Sequence, residues 1–483
     1  MKTLNQASKL KKEVLIRLVQ AFLTDNFEQK INDIPFDMRP KGSEIPFRCC
    51  IYKEREIIRE RVIAGLGFEV GQDDEKTLLS EYAKKTIERE NFKPSTMMTV
   101  LDTACTACSH SKIVVTELCK GCIAKACQSA CKFNAIQIID KKTVIDNSKC
   151  KKCKMCISAC PYNAIAKISA PCEDVCPVDA IGKDEKGITK INFDKCILCG
   201  KCIASCPFAA VHERSQIIDI LKEIKNKKKV IAMVAPAIVG QFPGTFFQLK
   251  SAIKQIGFYD VVEVAQGADV TIQNEAKEFE HKMNSGQPFM TSSCCAGYLR
   301  LVENTLPDLK PFVSDTKTPL YYTAEIVKEK YPDCVAVFIS PCISKKYESC
   351  KDDKVNYALN FEELGAIFVA KQIDVLNCQP DTDNNENITP HARKFPIAGG
   401  VFKAVSNSVK NIEAKPVIIN NLDKKNIALL SSFAKNKKCP TGNLVEVMCC
   451  QGGCINGNAT ISTTNSAIKK IEELVSKDES ENS

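Results

Sequence analysis

The spacing of apolar residues changes twice along the chain and divides the sequence into three regions. In residues 1–98, apolar positions recur every three or four residues within 9–22 and again within 52–66, which predicts helices. The adjacent Cys49 and Cys50 lie in this region without the spacing of cluster ligands, and we interpret them as structural thiols.

From residue 230 to about residue 470 the pattern is typical of an α/β domain. Four continuous apolar runs, at 230–236, 288–295, 335–342 and 444–450, alternate with helical stretches and predict buried parallel strands. Three of the four runs end in cysteine. Because ligands bind beyond the carboxyl ends of the strands in open α/β sheets, we expect these cysteines to lie at one site.

The region between them is built from short repeats. Four segments share a cysteine followed by a similar tail, CKFNAI, CPYNAI, CPVDAI and CPFAAV, as in two-cluster ferredoxin units. The sequence therefore predicts a multidomain α+β and α/β fold. Its parts are a helical N-terminal region (1–98), a ferredoxin-like iron–sulfur domain (99–212), a linker helix (213–229), an α/β catalytic domain with parallel sheets flanked by helices (230–470) and a charged tail (471–483), of which residues 477–483 are expected to be frayed.

Composition and targeting signals favour a cytoplasmic protein. With 44% hydrophobic residues, the chain can bury ordinary cores. No apolar run approaches the ~18 residues of a spanning helix, and the lysine-containing start lacks the apolar core of a signal peptide, so we expect no membrane partner. Cysteines in metal-ligand spacing without an export signal indicate a reducing compartment.

The formal net charge of +9 does not predict nucleic-acid binding. An oxidised 4Fe–4S cluster with four thiolates carries a charge of about −2, so about four clusters would bring the loaded protein close to neutrality. We interpret the lysines as a solvated surface or as a docking patch for an acidic electron carrier.

Sixteen of the 28 cysteines lie between Cys105 and Cys206. Two runs, starting at Cys150 and Cys196, have the bacterial ferredoxin spacing C-x2-C-x2-C-x3-C-P, in which the fourth cysteine ligates the cluster of the partner motif. Cross-ligation predicts three ligand sets, which we number first to third: Cys119, Cys122, Cys127 and Cys160; Cys131, Cys150, Cys153 and Cys156; Cys176, Cys196, Cys199 and Cys202.

Elimination gives a fourth set from the cysteines that remain in this region: Cys105, Cys108, Cys172 and Cys206. A small zinc site or free thiols are the alternatives for this set. His110 follows Cys108 closely, but four thiolates are already available and we interpret it as a non-ligand. Four other cysteines lack ligand spacing and are expected to be buried structural thiols: Cys334, Cys350, Cys378 and Cys439.

Three motifs in the α/β region resemble those of the iron-only (FeFe) hydrogenases. TSSCCAGY (291–298) is similar to the family's TSCCPxW, SPCISKKYE (340–348) to MPCxxKxxE, and EVMCCQGGCINGN (446–458) to ExMACxxGCxxGG, in the family's order. The resemblance implies hydrogenase activity and an H-cluster. This cofactor is a 4Fe–4S cluster linked to a diiron unit with CO, cyanide and a bridging dithiolate amine.

The resemblance also implies roles for single residues. Cys294 matches the thiol that passes protons, Lys345 the lysine that hydrogen-bonds a cyanide, and Glu348 the acid of the same motif. The implied cofactor-binding residues are four cluster ligands, of which the last is shared with the diiron unit, and three further contacts: Cys295, Cys342, Cys450 and Cys454; Met448, Ala235 and Pro236.

Proton delivery is implied by Glu275, Glu278 and Ser314, which match the carboxylates and hydroxyl that lead from the surface to Cys294. The two glutamates are three residues apart and share one helix face, which without the resemblance would indicate only a solvated surface. Several nearby positions depart from the family pattern and are expected to alter the surroundings of the cofactor rather than its ligands: Ala237, Ala296, Tyr298, Ser340, Cys449, Asn458 and Ala459.

The sequence therefore predicts an enzyme that reversibly reduces protons to hydrogen. Ferredoxin or flavodoxin would carry its electrons, and maturation proteins would supply the diiron unit. The alternatives are a non-catalytic iron–sulfur scaffold or assembly protein, a hydrogen sensor, and a subunit of a larger bifurcating complex. Cys294, Lys345 and Cys454 together favour the enzyme, because a scaffold does not require all three.

Overall fold

Four helices form the N-terminal region of the computed structural model, which describes residues 5–42, 48–105, 108, 111–382 and 388–481, with side chains to residue 476. They are α1 (Gln6–Phe22), α2 (Phe27–Met38), α3 (Ile51–Gly65) and α4 (Leu79–Glu88). Asn5 begins α1 by accepting a hydrogen bond from the Ser8 N–H at 2.8 Å, as an N-cap residue does. The apolar spacing over 9–22 and 52–66 thus corresponds to α1 and α3.

The N-terminal helices share a hydrophobic core with the α/β domain. Buried side chains form one continuous cluster that includes Leu18 of α1 and Val230 and Leu364 of the α/β domain. Lys11 also donates a 3.0 Å hydrogen bond to Glu362, a residue of the α/β domain. Residues 1–98 are therefore not an independently packed unit.

Cys49 is exposed and Cys50 is half-buried, with 3.8 Å between their Sγ atoms.

The cluster region consists of short strands and helices. In chain order they are β1 (Met98–Val100), α5 (Asp102–Cys105), β2 (Lys112–Val115), α6 (Ala126–Ser129), β3 (Ile136–Ile139), β4 (Lys142–Ile145), α7 (Met155–Ala159), β5 (Ile165–Ile168), α8 (Pro171–Val175), β6 (Ile181–Lys183), β7 (Thr189–Ile191), α9 (Lys201–Ser205) and β8 (Val211–Glu213). His110 lies outside the described residues.

These elements form two ferredoxin-like units, one inserted into the other. β1 pairs with β8 and β6 with β7, whereas β2 pairs with β5 and β3 with β4, all antiparallel. We call β2 to β5 the inserted unit. The remaining elements, β1–α5 and α8–β8, form the outer unit, which the insertion divides in two.

The helix after β8, α10 (Ile217–Lys225), is a core element rather than a linker. Its Ile217 and Ile218 are buried in the core that joins the N-terminal helices to the α/β domain. Asp219 on the same helix accepts hydrogen bonds from Arg89 at 2.8 and 2.6 Å. The sequence correctly predicts a helix here, but the apolar face of this helix packs into the shared core.

The α/β domain contains two parallel sheets and their helices. Its elements are β9 (Val230–Val234), α11 (Phe246–Ile256), β10 (Asp260–Glu263), α12 (Ala265–Asn284), β11 (Met290–Thr291), α13 (Ala296–Asn304), α14 (Pro319–Lys330), β12 (Val335–Ser340), α15 (Ile343–Lys351), β13 (Tyr357–Asn360), α16 (Phe361–Ala370), α17 (Pro390–Arg393), α18 (Gly400–Ser408), β14 (Pro416–Ile419), α19 (Lys424–Asn436), β15 (Leu444–Val447) and α20 (Thr464–Glu481).

The strand order is β10-β9-β12-β13 in one sheet and β11-β15-β14 in the other. All four predicted apolar runs form parallel strands, namely β9, β11, β12 and β15, so the predicted fold class is confirmed. Each sheet also has strands that the apolar pattern did not single out. None of the helices in the described ranges combines the length and apolar character needed to span a lipid bilayer.

Helix α20 runs through most of the charged tail to Glu481, so residues 477–481, which were expected to be frayed, are helical. Ile471, Leu474 and Val475 of this helix are buried in the core shared by the N-terminal helices and the α/β domain. These three residues lie on one face of α20, and this face packs the helix against the shared core. Residues 482–483 lie outside the described range.

Candidate cluster sites and active site

The inserted unit encloses two groups of four cysteines. Each group lines its own cavity, and the two groups are the first and second predicted sets: Cys119, Cys122, Cys127 and Cys160; Cys131, Cys150, Cys153 and Cys156. Thr143 of β4 lies 3.6 Å from the Sγ of Cys119 and 3.8 Å from that of Cys127. Across the described residues, no three His, Cys, Asp or Glu side chains converge tightly enough for a single metal ion. Four thiols around a cavity suit a cluster better.

The outer unit brings the fourth set together from both sides of the insertion. Thr189 of β7 lies 3.1 Å from the Sγ of Cys105 and 4.0 Å from that of Cys172. Burial raises the pKa of the Cys108 and Cys172 thiols, and the nearby Cys105 and Cys206 raise it further. All four thiols therefore interact. Cys105 and Cys108 form the first half of a ferredoxin motif whose second half is displaced by the insertion.

The third set faces the α/β domain. Arg300 of α13 donates a 3.0 Å hydrogen bond to the carbonyl oxygen of Cys196, and Ser344 of α15 donates at 2.6 Å to that of Leu198. Burial raises the pKa of Cys196 to about 11. A buried thiol of this kind gives up its proton to a bound metal far more readily than to water.

The members of the third set are close to one another. Burial raises the pKa of Cys202 well above its ordinary value, and four neighbouring thiols raise it further, three from the third set and one from the fourth: Cys199, Cys196 and Cys176; Cys172. The grouping inferred from the ferredoxin spacing therefore corresponds to one group of thiols in space.

A second kind of site lies where three strands of the α/β domain end. Cys295 follows β11 and begins α13, Cys342 follows β12 and begins α15, and Cys450 and Cys454 follow β15. Burial raises the pKa of Cys454, and negative charge on the other three thiols would raise it further. Four thiols from distant parts of the chain therefore meet at one point, as the ends of the apolar runs predict.

A partly open cavity of about 70 Å³ lies beside this group of thiols. Its lining includes Cys294 and Cys454 from the two cysteine-bearing loops and Lys345 from α15. The remaining wall is mostly apolar: Ala235, Pro236, Ala237, Val264, Ala268, Pro319, Leu320, Phe338, Pro341, Phe395, Pro396 and Met448. A bulky, partly anionic group next to Cys454 would thus meet one ammonium, one thiol and an otherwise dry surface.

Lys345 is held at this cavity by Glu348. The Lys345 ammonium lies 2.6 Å from the Glu348 carboxylate, and Glu348 also accepts a hydrogen bond from the Thr318 hydroxyl. Burial lowers the pKa of Lys345, but the Glu348 carboxylate and the nearby thiols outweigh it and raise the pKa overall. Lys345 is therefore a cation at neutral pH.

The carboxylates predicted for proton delivery lie along α12. Ser314 donates a 2.7 Å hydrogen bond to Glu278, and Lys282 lies 2.7 Å from the same carboxylate. Burial opposes the ionisation of Glu278, but hydrogen bonds from Lys282, Thr316 and Ser314 outweigh it and lower its pKa. Glu278 is therefore ionised, and its side chain is still 15% exposed.

Glu275 lies one helical turn deeper and is completely buried. Neither of its carboxyl oxygens makes a well-aligned hydrogen bond to the described residues. Burial and the charge of Glu278 raise its pKa to about 8, partly opposed by the Ser293 backbone N–H. Burial and the charge of Glu275 likewise raise the pKa of Cys294 well above the usual value for a thiol. Cys294 is therefore a neutral thiol within electrostatic reach of a titrating carboxyl.

Known families match both the cluster region and the α/β domain. Residues 228–458 match the model of the iron-only hydrogenase large subunit, C-terminal domain. Residues 143–166 match a 4Fe–4S binding domain, and residues 166–217 match the LdpA iron–sulfur cluster-binding domain.

The chain contains an iron-only hydrogenase-like domain, preceded by iron–sulfur cluster-binding segments.

The relatives that the chain matches include hydrogenases and iron–sulfur cluster assembly factors. It is 26% identical to Iron hydrogenase 1 of Clostridium pasteurianum over 302 residues, which cover 51% of this chain and 52% of that protein. It is also 23% identical to the probable cytosolic Fe-S cluster assembly factor CG17683 of Drosophila melanogaster, over 47% of this chain and 60% of that one. The chain spans about half the length of the curated relatives it matches.

A variant of the FeFe-hydrogenase HydA1 from Chlamydomonas reinhardtii superimposes with a TM-score of 0.45 at 20% identity, covering 53% of this chain and 88% of that chain.

Three residues around the carboxylates of α12 were not predicted from the sequence. Thr316 donates hydrogen bonds to Glu278 from both its backbone N–H and its hydroxyl, and Lys282 forms an ion pair with the same carboxylate. Glu446 of β15 is buried and accepts from the backbone N–H groups of Gly399 and Phe402 at 2.7 and 2.8 Å. A glutamate inside the apolar run LVEVM was the available signal for Glu446.

Several departures from the hydrogenase pattern have local partners. The Tyr298 hydroxyl forms a 2.7 Å hydrogen bond with Thr291, which satisfies its polar atom inside the core. Asn458 accepts a hydrogen bond from the Ile343 N–H, and its amide donates to Glu213 at 2.9 Å. These contacts connect the loop after Cys454 to α15 and to the cluster region.

The predicted structural thiols are buried at Cys334, Cys378 and Cys439, whereas Cys350 is half-buried.

Proposed function

We propose that this protein reversibly reduces protons to hydrogen, with electrons supplied by ferredoxin or flavodoxin. The observation that carries the proposal is the shared cavity, in which Cys294 and Lys345 face the same space as Cys454. A thiol that can pass protons and a fixed cation beside a cluster ligand are the groups that hydrogen chemistry requires.

The residues of this cavity fit an H-cluster. Cys295, Cys342, Cys450 and Cys454 would hold its 4Fe–4S part, because four buried thiols whose pKa values are raised by burial are a donor set for iron. When bound, the cofactor supplies the metal centre at which protons and electrons combine. Lys345 would stabilise an anionic ligand of the diiron unit by a charge-assisted hydrogen bond, while Met448 and Pro236 exclude water.

Protons would reach the cavity along α12. Glu278 is the outermost carrier because it is ionised and partly exposed, and Ser314 extends its hydrogen-bond network inward. Glu275, with a pKa of about 8, can both take up and release a proton near neutral pH. Cys294 would receive that proton without burying a permanent charge.

Electrons would enter through the inserted unit and leave through the third set. The third set contacts α13 and α15, which begin at the H-cluster ligands Cys295 and Cys342. We propose one 4Fe–4S cluster for each of the four cysteine sets. The fourth set lies in the same outer unit as the third, and the first and second lie in the inserted unit.

The inserted unit has the surface expected for docking an acidic carrier. Residues 112–168 contain eleven lysines and three acidic residues. Apolar side chains are exposed between the lysines, among them Ile123 at 99% and Tyr162 at 49%. A positive rim around apolar contacts complements the acidic surface of a small electron carrier and would increase its rate of association.

We further propose that maturation proteins supply the diiron unit and that the protein works in the reducing cytoplasm, which cell fractionation would test.

The competing function is a non-catalytic iron–sulfur assembly protein, because assembly factors are among the relatives. Such a protein would need the cysteine sets but neither the proton route nor Lys345. Infrared spectroscopy of the chain after maturation separates the two functions. We expect CO and cyanide stretching bands, together with hydrogen evolution from reduced ferredoxin. Intact clusters without these bands would favour the assembly function.

A cysteine variant tests the proton assignment. Cys294→Ala is expected to keep the CO and cyanide bands and to lose nearly all turnover, because the cofactor remains bound while its proton donor is gone. Cys378→Ala, which removes a buried thiol distant in sequence from every ligand motif, is the matched control and should retain activity. Full turnover in Cys294→Ala would contradict the assigned role.

A further inference from the structure

A buried arginine of α3 has no acidic hydrogen-bond partner among the described residues. Arg61 is only 1% exposed, and its Nη2 donates a 3.1 Å hydrogen bond to the carbonyl oxygen of Phe208. Its Nε and Nη1 have no hydrogen-bond partner in the described part of the chain. A buried cation without a counter-charge is strongly destabilising, so a negative charge is expected near these two groups.

The loop that Arg61 contacts belongs to the fourth set. Phe208 follows Cys206 by two residues, and the Sγ of Cys206 accepts a 3.3 Å hydrogen bond from the Ala210 N–H. The loop bound by Arg61 is thus the one that wraps around the Cys206 sulfur. Cys206 also lies within electrostatic reach of the guanidinium.

The neighbouring carboxyl of Glu60 is engaged elsewhere. It accepts hydrogen bonds from the backbone N–H and the hydroxyl of Thr103, at 3.1 and 2.5 Å, at the start of the helix that carries Cys105. Burial raises the pKa of Glu60 to about 7, so at neutral pH it carries only part of a negative charge. Glu60 therefore positions the Cys105 helix and only partly balances Arg61.

A second guanidinium lies on the same side of the fourth set. Arg48 donates a 3.3 Å hydrogen bond to the carbonyl oxygen of Ala104, the residue before Cys105. Its guanidinium carbon also lies 4.7 Å from the ring centroid of Phe208. Two cations from the N-terminal region therefore flank two thiols of one set.

We propose that Arg61 is the counter-charge of a 4Fe–4S cluster held by the fourth set and that it raises the reduction potential of this cluster. The inference rests on the ligand set given under Proposed function. Such a cluster carries about −2 when oxidised and one further negative charge when reduced, so a buried cation stabilises the reduced form more. The N-terminal helices would then tune the reduction potential at one step of the electron route. Arg61 would act through its charge and would not be a cluster ligand.

The test is a redox titration of the full, cluster-loaded chain followed by electron paramagnetic resonance. The signal of the fourth set is the one that Cys108→Ser removes or alters. In Arg61→Met, we expect the ratio of reduced to oxidised cluster at a fixed potential to fall about tenfold, a shift of about 59 mV for one electron. Arg61→Lys keeps the charge and should retain most of the wild-type potential.

Arg59→Met is the matched control, because Arg59 lies on the same helix but pairs with Asp73 at 2.5 Å. It should leave the potential unchanged. If Arg61→Met does not load its clusters, Arg48→Met removes the second cation and should shift the potential in the same direction by less. Iron content and the melting temperature distinguish these cases from simple loss of folding.

Two results would overturn the proposal in different ways. If Cys108→Ser alters no signal, the fourth ligand set is wrong and the role of Arg61 falls with it. If all signals are present but the potentials of Arg61→Met and Arg48→Met match wild type, only the role of Arg61 is wrong. In that case the melting temperature is measured with and without inorganic phosphate. A rise in the wild-type protein that is absent in Arg61→Met would assign Arg61 to a small-anion site in the cavity that it lines with Arg39 and Arg48.

Discussion

Ser314 donates a 2.7 Å hydrogen bond to the carboxylate of Glu278, although the two residues are 36 positions apart in the sequence. The contact joins the connection between α13 and α14 to α12 and places an ionised, partly exposed carboxylate one helical turn from the buried Glu275. The two glutamates share a helix face, but the pKa of Glu275 is raised and the pKa of Glu278 is lowered. This difference suits a route in which the outer group collects protons and the inner group transfers them.

Glu275→Gln should therefore lower hydrogen turnover about 100-fold or more, the usual contribution of a proton-transfer residue. The amide fills the same space but cannot carry a proton between Glu278 and Cys294. Turnover with a soluble dye as electron source measures this loss independently of carrier docking. Glu280→Gln is the control and should be fully active, because this half-buried residue of the same helix accepts hydrogen bonds from the backbone N–H groups of Lys410 and Asn411. Equal activity of the two variants would contradict the route.

The same substitution should stabilise the protein at alkaline pH. The pKa of Glu275 is about 8 in the folded chain and 4.5 in the unfolded chain. The folded state therefore binds this proton more tightly. Stability associated with Glu275 is therefore present below about pH 4.5 and is lost as the pH rises towards 8. We expect Glu275→Gln to melt at a higher temperature than wild type at pH 9 and at the same temperature near pH 5. A constant difference across this range would contradict the buried, titrating carboxyl.

Glu348→Gln should weaken retention of the diiron unit. The 2.6 Å ion pair with Glu348 keeps Lys345 charged inside an apolar wall, and the amide would leave that cation without its carboxylate. We expect roughly tenfold lower activity and weaker CO and cyanide bands per iron, with a larger loss in Lys345→Met. Glu325→Gln disrupts a surface pair with Lys354 and should change neither measurement.

The sequence predicted the active site better than it predicted how the regions assemble. Continuous apolar runs ending in cysteine were enough to place Cys295, Cys342 and Cys450 together, because parallel strands bring their carboxyl ends to one edge. In contrast, β14 presents alternating exposed residues and pairs with β15 only through long-range contacts, so its short pattern carried little signal.

The nested ferredoxin units illustrate a second limit. Elimination grouped Cys105 and Cys108 with Cys172, but the physical reason is the pairing of β1 with β8 across more than a hundred residues. Local spacing does not reveal that a motif is interrupted by a complete second unit. The partners of Glu278 were missed for a similar reason, because Thr316 belongs to a loop that reaches α12 only in the folded chain.

Charge reversal on the inserted unit should impair docking without affecting catalysis. Lys151, Lys152 and Lys154 are exposed around Cys153, so replacing all three with Glu opposes an acidic carrier where electrons would enter. We expect the KM for reduced ferredoxin to rise at least about tenfold at low salt, and the difference to shrink as salt screens the charges. Activity with a small dye should be unchanged. The matched control reverses Lys435, Lys437 and Lys438, which are exposed on the α/β domain, and should leave both activities intact.

Cys449 provides a test of the electron route between the cluster region and the active site. Its thiol donates a hydrogen bond to Cys199 of the third set, which lowers the pKa of Cys199 to about 7, and its backbone N–H donates to the Sγ of Cys295 at 3.4 Å. A hydrogen bond to a cluster thiolate stabilises the reduced, more negative cluster. Cys449→Ala, which also restores the residue usual in the family motif, should therefore lower the potential of the third cluster while all clusters remain bound. Redox titration measures the shift, and Cys378→Ala, at another buried thiol, is the control. An unchanged potential in Cys449→Ala would show that this thiol only fills space between the two sites.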